Sequence, residues 1–310
     1  MALLRVNARG ERPGLHQDCG ASFEGALATA LTRPGPVIVM VHGYRYSPGL
    51  RGHCPHELLF ATPQPRGGQR RVSWPSRLGV GSAARSPGVA IAFGWEGRGS
   101  IRRAYREAAQ AGRAMACLVD RIKTIDPSRD VHVLAHSLGA RVALQALAHL
   151  KPGDLSRLIL MAAAEYRSTV AGALATPAGR AAQVMHVTSR ENDLYDCLLE
   201  WLVRAEARGD RALGAHAAAP NMRSVLIDDA ATLAALRGLG FRIAPPARRI
   251  CHWSPYLRAG VFRLYRALLT DTLSLDALDR ALPAAEDRRW SRLLPVPPLQ
   301  GLPFATKAPS

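Results

Sequence analysis

The segment Ala135-His136-Ser137-Leu138-Gly139 sets a serine between the apolar run Val131-His132-Val133-Leu134-Ala135 and a helical repeat that begins at Leu138. A serine on the sharp turn between a strand and a helix is presented at the carboxyl end of the sheet. The free N–H groups at the helix start then face any negative charge that builds on a neighbouring oxygen. Strand and helix backbones approach closely at such a turn, so the positions two before and two after the serine must be small, and Ala135 and Gly139 are. The chemistry within reach is nucleophilic attack on a carbonyl. The plain alternative is a serine that only caps its helix.

A hydroxyl is a weak nucleophile at neutral pH and needs an imidazole base, itself held by an acid. For an elbow of this kind the chain order is serine, acid, histidine. After Val184-Met185-His186-Val187 comes Ser189-Arg190-Glu191-Asn192-Asp193, where Asp193 is the expected acid and Asp196 and Glu165 are its rivals. Asp193 could also cap the helical pattern that follows it. Beyond Asp193 the histidines are His216, in an alanine-rich stretch before the last strand, and His252, in Cys251-His252-Trp253-Ser254-Pro255-Tyr256 after it. His252 is the expected base.

An oxyanion needs two backbone donors. Leu138, after the serine, supplies one N–H; His42-Gly43-Tyr44, directly after the run Val37-Ile38-Val39-Met40-Val41, supplies the other through Tyr44. His42 and Trp95, the latter in Gly94-Trp95-Glu96-Gly97, are expected to line a substrate pocket, and His136 to sit behind the nucleophile. His53-Cys54-Pro55-His56 has metal-ligand residue types but no second ligand pair at zinc spacing, so neither a metal nor a cofactor is expected.

The elements that must carry these residues alternate along the chain. Short apolar runs at 37–41, 89–93, 131–135, 158–161, 184–187 and 225–227 read as strands covered on both faces. Helical patterns run from Ile101 to Ile122 and from Leu138 to Leu150, then through Leu194, Leu198, Trp201 and Leu202, and through Leu257, Val261, Leu264, Tyr265 and Leu268. This succession predicts an α/β fold with a doubly wound, mostly parallel sheet. Residues 1–282 read as one domain, with a Pro-, Gly- and Arg-rich insertion at 44–88 whose one short helical candidate is His56–Phe60, and with a proline-rich extension at 283–310.

The 310 residues carry a formal net charge of +17, mostly from arginine, which raises the question of an anionic partner. The arginines are scattered, with no run of five or six and no interleaved aromatics, so no specific nucleic-acid partner is expected. The 5 cysteines are unpaired in spacing and no stretch is apolar for long enough to span a bilayer, which reads as a cytoplasmic protein without a transmembrane segment.

With these pieces placed, the chain resembles a bacterial group of α/β-hydrolases of largely unknown function, often described as esterase/lipase-like. The resemblance rests on Val41-His42-Gly43-Tyr44, Phe93-Gly94-Trp95, Ala135-His136-Ser137-Leu138-Gly139, Ser189 to Asp193 and the late His252 segment, and spans residues 36–265. Three features depart from the group: Glu96 stands where a proline usually follows the tryptophan, the histidine segment carries an insertion, and the acidic position after the run at 158–161 is Glu165, which keeps it a rival of Asp193 for the acid. The resemblance implies an α/β-hydrolase fold and hydrolase activity without naming a substrate. The serine, acid and histidine candidates themselves point to cleavage of a small-molecule carboxylic ester, with thioester, amide or lipid cleavage, or non-catalytic binding of an anionic partner, as the other readings.

Overall fold

The computed structural model describes residues 1–17, 20–62, 72–81 and 88–283. Eight strands are β1 (Ala2–Arg9), β2 (Arg12–Leu15), β3 (Val37–Val41), β4 (Val89–Gly94), β5 (Val131–His136), β6 (Arg157–Met161), β7 (Gln183–Thr188) and β8 (Met222–Leu226). They form one sheet in the order β2-β1-β4-β3-β5-β6-β7-β8. All neighbours are parallel except the β1–β2 hairpin. Every residue of β3, β4 and β5 is buried, as continuous apolar runs in a doubly covered sheet require. Alternate residues feed two cores: Val37, Val39 and Val41 point into one, Ile38 and Met40 into the other.

The helices among the described residues are α1 (Phe23–Leu31), α2 (Trp74–Leu78), α3 (Ile101–Ile125), α4 (Leu138–Ala146), α5 (Arg167–Ala175), α6 (Pro177–Ala181), α7 (Asp193–Leu202), α8 (Ala230–Gly238), α9 (Ser254–Leu257), α10 (Val261–Leu269) and α11 (Leu275–Ala281). Ser100 caps α3 by accepting from the Arg103 N–H, and small residues of α3 such as Ala104, Ala108 and Gly112 face inward. There the helix meets α4 so closely that a Cβ on Gly112 would lie 2.7 Å from Gln145 Cβ.

Three elements differ from the expectation. The β1–β2 hairpin, turning at Gly10, is hidden in the sequence because arginines interrupt its apolar residues and only Val6 of β1 is fully buried. Within the 44–88 insertion, His56–Phe60 forms turns, and the helix is α2, started by Ser73 and by Pro75 in its first turn; residues 63–71 and 82–87 lie outside the described residues. His252 does not directly follow β8, because α8 and an irregular run intervene, and the helical pattern expected from Leu257 is broken at Gly260 into α9 and α10. The proline-rich extension lies outside the described residues from 284 onward.

Candidate active site

Ser137 stands between β5 and α4 with φ 55° and ψ −124°. A non-glycine residue in such a conformation costs about 1–3 kcal/mol and persists only where its surroundings enforce it. Here the enforcement is backbone pairing: Ser137 N–H donates to Met161 O at 2.9 Å, while Ser137 O accepts from Ala140 and Ala164 N–H at 3.0 and 3.2 Å. Gly139 is demanded by the approach of β3, since a Cβ there would lie 2.5 Å from His42 O and 2.6 Å from Val41 O. The Ser137 side chain makes no capping bond to α4. The capping alternative is therefore not what the hydroxyl does.

The loop after β3 packs onto this elbow. A Cβ on Gly43 would meet Ser137 Cβ at 2.8 Å and His136 O at 2.9 Å, so only glycine lets the loop come this near. His42 Nε2 accepts from Trp95 N–H at 3.0 Å, which leaves the ring proton on Nδ1, where it donates to Gly43 O at 2.9 Å. Burial lowers the His42 pKa to about 4, so the ring is uncharged at neutral pH. In a planar trans peptide the C=O and the following N–H point in opposite directions. Holding Gly43 O toward His42 thus turns the Tyr44 N–H away from it. Among the described residues neither the Tyr44 nor the Leu138 N–H donates to a protein acceptor.

The expectation that His42 and Trp95 line a substrate pocket is corrected. Both are 0% exposed. Their rings stack at 5.5 Å and 5°, and Trp95 Nε1 donates to His42 O at 2.8 Å, so each braces the other beneath the loop.

On the opposite side of the elbow, His252 Nδ1 lies 2.6 Å from Asn192 Oδ1. Asn192 Nδ2 donates to Asp196 Oδ1 at 3.0 Å. An ionised carboxylate only accepts, so this second bond sets the amide orientation and leaves Oδ1 to receive a proton from His252 Nδ1. The Nε2 lone pair is then free to act as a base. Tyr195 stacks on the ring at 4.4 Å, and His136 packs at 4.6 Å while its Nε2 donates to His252 O at 3.1 Å. Burial holds the His252 pKa well below 6.5 and that of His136 at about 4.

These contacts bring His252 to the residue that precedes Ser137. Ser137 Oγ itself makes no hydrogen bond among the described residues, so the step between serine and imidazole is not closed at hydrogen-bond distance. Such gaps are common before substrate binds.

The acid candidates separate. Asp193 opens α7, one residue past the amide that meets His252, and Asp196 is buried behind that amide. Glu165 is committed elsewhere: fully buried, it accepts from Arg141 Nη1 at 2.6 Å, from Tyr105 OH and from Tyr166 N–H at 2.9 Å. His216 is exposed, and its carbonyl accepts from Ser224 Oγ. Cys54 Sγ is 3.9 Å from His16 Nε2 and His56 Nε2 2.7 Å from Asn7 Oδ1, yet among the described residues no three His, Cys, Asp or Glu side chains converge to hold a metal.

Sequence reasoning missed Asn192 and a buried clamp beside it. Glu191 accepts from Ser189 Oγ, Ser254 Oγ and Arg258 Nη2, and Glu191 O accepts from Cys251 N–H at 2.9 Å. The clamp ties the loop after β7 to the His252 loop. The i, i+4 spacing of Asn192 and Asp196 was the available signal.

A mostly parallel eight-stranded sheet with a strained serine elbow after its central strand defines an α/β-hydrolase fold. Residues 21–193 match the family model described as alpha/beta hydrolase of unknown function (DUF900), and the chain belongs to that family. The matched span includes the elbow and the His42-Gly43-Tyr44 loop and ends before His252. Among curated proteins, none matches the chain. Among the described residues no helix is long and apolar enough to cross a membrane.

Proposed function

We propose that this α/β-hydrolase cleaves a carboxylic ester through an acyl-enzyme on Ser137. His252 Nε2 takes the Ser137 proton as Oγ attacks the carbonyl carbon, and the same proton passes to the departing alcohol. Water then attacks the acyl-enzyme, losing its proton to His252, and the acid leaves as the Ser137 hydroxyl is restored. Asn192 fills the place expected of Asp193: it holds the His252 tautomer, with the Asp196 carboxylate behind it. The Leu138 and Tyr44 N–H groups receive the oxyanion, each contributing about 3 kcal/mol in sites of this type.

The observation that carries the reading is the strained, uncapped hydroxyl of Ser137 on its elbow. Thioester and amide cleavage would use the same groups, so an acyl panel ranks the substrates. A fluorophosphonate should label wild-type protein at Ser137, and nitrophenyl esters should be turned over by wild type and not by Ser137→Ala. Equal turnover by both proteins, or intact protein that takes up no label, would sink the proposal.

A further inference from the structure

Helix α7 is turned inside out. Its apolar residues Leu194, Leu198, Trp201 and Leu202 recur at helical spacing and would ordinarily face a core. Instead Asp196 and Leu199 are buried, Leu194 and Leu198 are half-exposed, Leu202 is 38% exposed and Trp201 is 79% exposed.

The helix lies along the carboxyl edge of the sheet. It begins at the end of β7, Tyr166 OH just past β6 donates to Leu199 O, and Arg102 Nε at the start of α3 donates to Leu202 O at 2.8 Å. Trp201 and Leu202 line an open groove of about 500 Å³ there with Arg102 and Arg204.

The other exposed apolar residues point the same way. Leu50 (43%) lies in the loop after β3 and Ile250 (39%) two residues before His252, both at the same edge; Ile125, at the far end of α3, is the exception among the described residues. Each apolar tip has an exposed arginine beside it in the chain: Arg51 after Leu50, Arg204 after Leu202, Arg248 before Ile250. Of the acids of α7, Asp196 is buried against Asn192, Asp193 is half-buried at the helix start, and Glu200, which also lines the groove, accepts from the Ala212 N–H at 2.8 Å.

Tryptophan and leucine flanked by arginine suit the boundary between acyl chains and anionic headgroups, where the apolar tips bury and the guanidinium groups meet phosphate. Nucleic acid would use the arginines but leave leucine and isoleucine exposed. We propose that this rim of the candidate site docks on an anionic lipid surface, with α7 as its apolar edge and the site opening beside it.

Flotation of the full chain with vesicles tests this. The protein should float with mixed phosphatidylcholine–phosphatidylglycerol vesicles, less with phosphatidylcholine alone, and less again at high salt. Trp201→Ser with Leu202→Ser should lower partitioning roughly tenfold or more, and Arg204→Gln with Arg248→Gln should flatten the salt dependence. Ile125→Ser, at the opposite end, should float like wild type. Ser137→Ala should also float normally, which keeps docking separate from the hydrolytic reading.

Absence of flotation with the mixed vesicles would overturn the proposal, as would equal losses for Ile125→Ser. So would a dimer in light scattering that the Trp201/Leu202 variant abolishes without any vesicle binding, or salt-dependent nucleic-acid binding without flotation.

Discussion

Replacing Asn192 by Ala removes the acceptor 2.6 Å from His252 Nδ1 while leaving Ser137 and the N–H groups of Leu138 and Tyr44 in place. A buried hydrogen bond between neutral groups is worth about 1–3 kcal/mol when one partner is deleted, which is roughly 5- to 150-fold in kcat/KM. That is less than loss of a carboxylate partner would cost, because no imidazolium–carboxylate attraction is removed. Asn192→Asp sharpens the test. The introduced carboxylate would stand where Nδ2 now lies 3.0 Å from Asp196 Oδ1, and two carboxylates that close cannot both ionise. The single variant should therefore be impaired near neutral pH, and adding Asp196→Asn should restore it. In the restored double variant a negative charge faces His252 and raises its pKa. The acid limb of kcat/KM, which burial places well below pH 6.5 in the wild type, should then move upward. The assay is the pH profile of nitrophenyl ester hydrolysis for five proteins: wild type, Asn192→Ala, Asn192→Asp, Asn192→Asp with Asp196→Asn, and Asp193→Asn. A loss of roughly a thousandfold or more in Asp193→Asn, with Asn192→Ala near wild type, would refute the reasoning and return the acid to Asp193.

Further outcomes follow from the same geometry. His42→Phe removes the donor that holds Gly43 O and lets the Tyr44 N–H rotate; kcat should drop by roughly a hundredfold with little change in KM, and parallel losses in both would argue against an oxyanion role. Glu191→Ala strands the Arg258 guanidinium in a buried site, costing about 3–5 kcal/mol, readable in urea unfolding; a cost under about 1 kcal/mol, the range of exposed pairs, would show the clamp to be slack. Burial lowers the pKa of His42, His132 and His136 to about 4 and of His186 to about 3. Their stabilisation is thus complete above pH 6.5 and is lost as pH falls toward 4, at about 1.4 kcal/mol per group per pH unit, and a urea midpoint flat between pH 6.5 and 5 would contradict it. His132 is 1% exposed, and among the described residues neither ring nitrogen has a hydrogen-bond partner; His132→Phe should raise the midpoint and lessen the acid slope.

What the sequence discloses divides along a physical line. Five of the six apolar runs became β3 to β7 nearly residue for residue, because a strand buried on both faces is apolar almost throughout, whereas the run at 225–227 caught only the end of β8, whose first half carries Arg223 and Ser224. The elbow was legible for a similar reason: Gly139 and Gly43 are dictated by close backbone approach, and that leaves a fixed spacing around Ser137. The partner of His252 was not legible, because it depends on the rotational phase of a short turn. Successive residues near a helix start point about 100° apart, so a shift of one position decides whether Asn192 or Asp193 meets the imidazole. Nothing local to Ser189-Arg190-Glu191-Asn192-Asp193 encodes that phase. It is set by the Glu191–Arg258 pair and by the Cys251 N–H on Glu191 O, contacts that span some sixty residues. Once those contacts bury Glu191, its neighbour Asn192 faces His252. Asp196, four residues on, is carried to the same face and supplies the carboxylate one step behind the amide. The same rotation turns Leu198 and Trp201 outward, so the inverted face of α7 and the displaced partner of His252 have one cause: the clamp sets the helix phase, and the phase sets both.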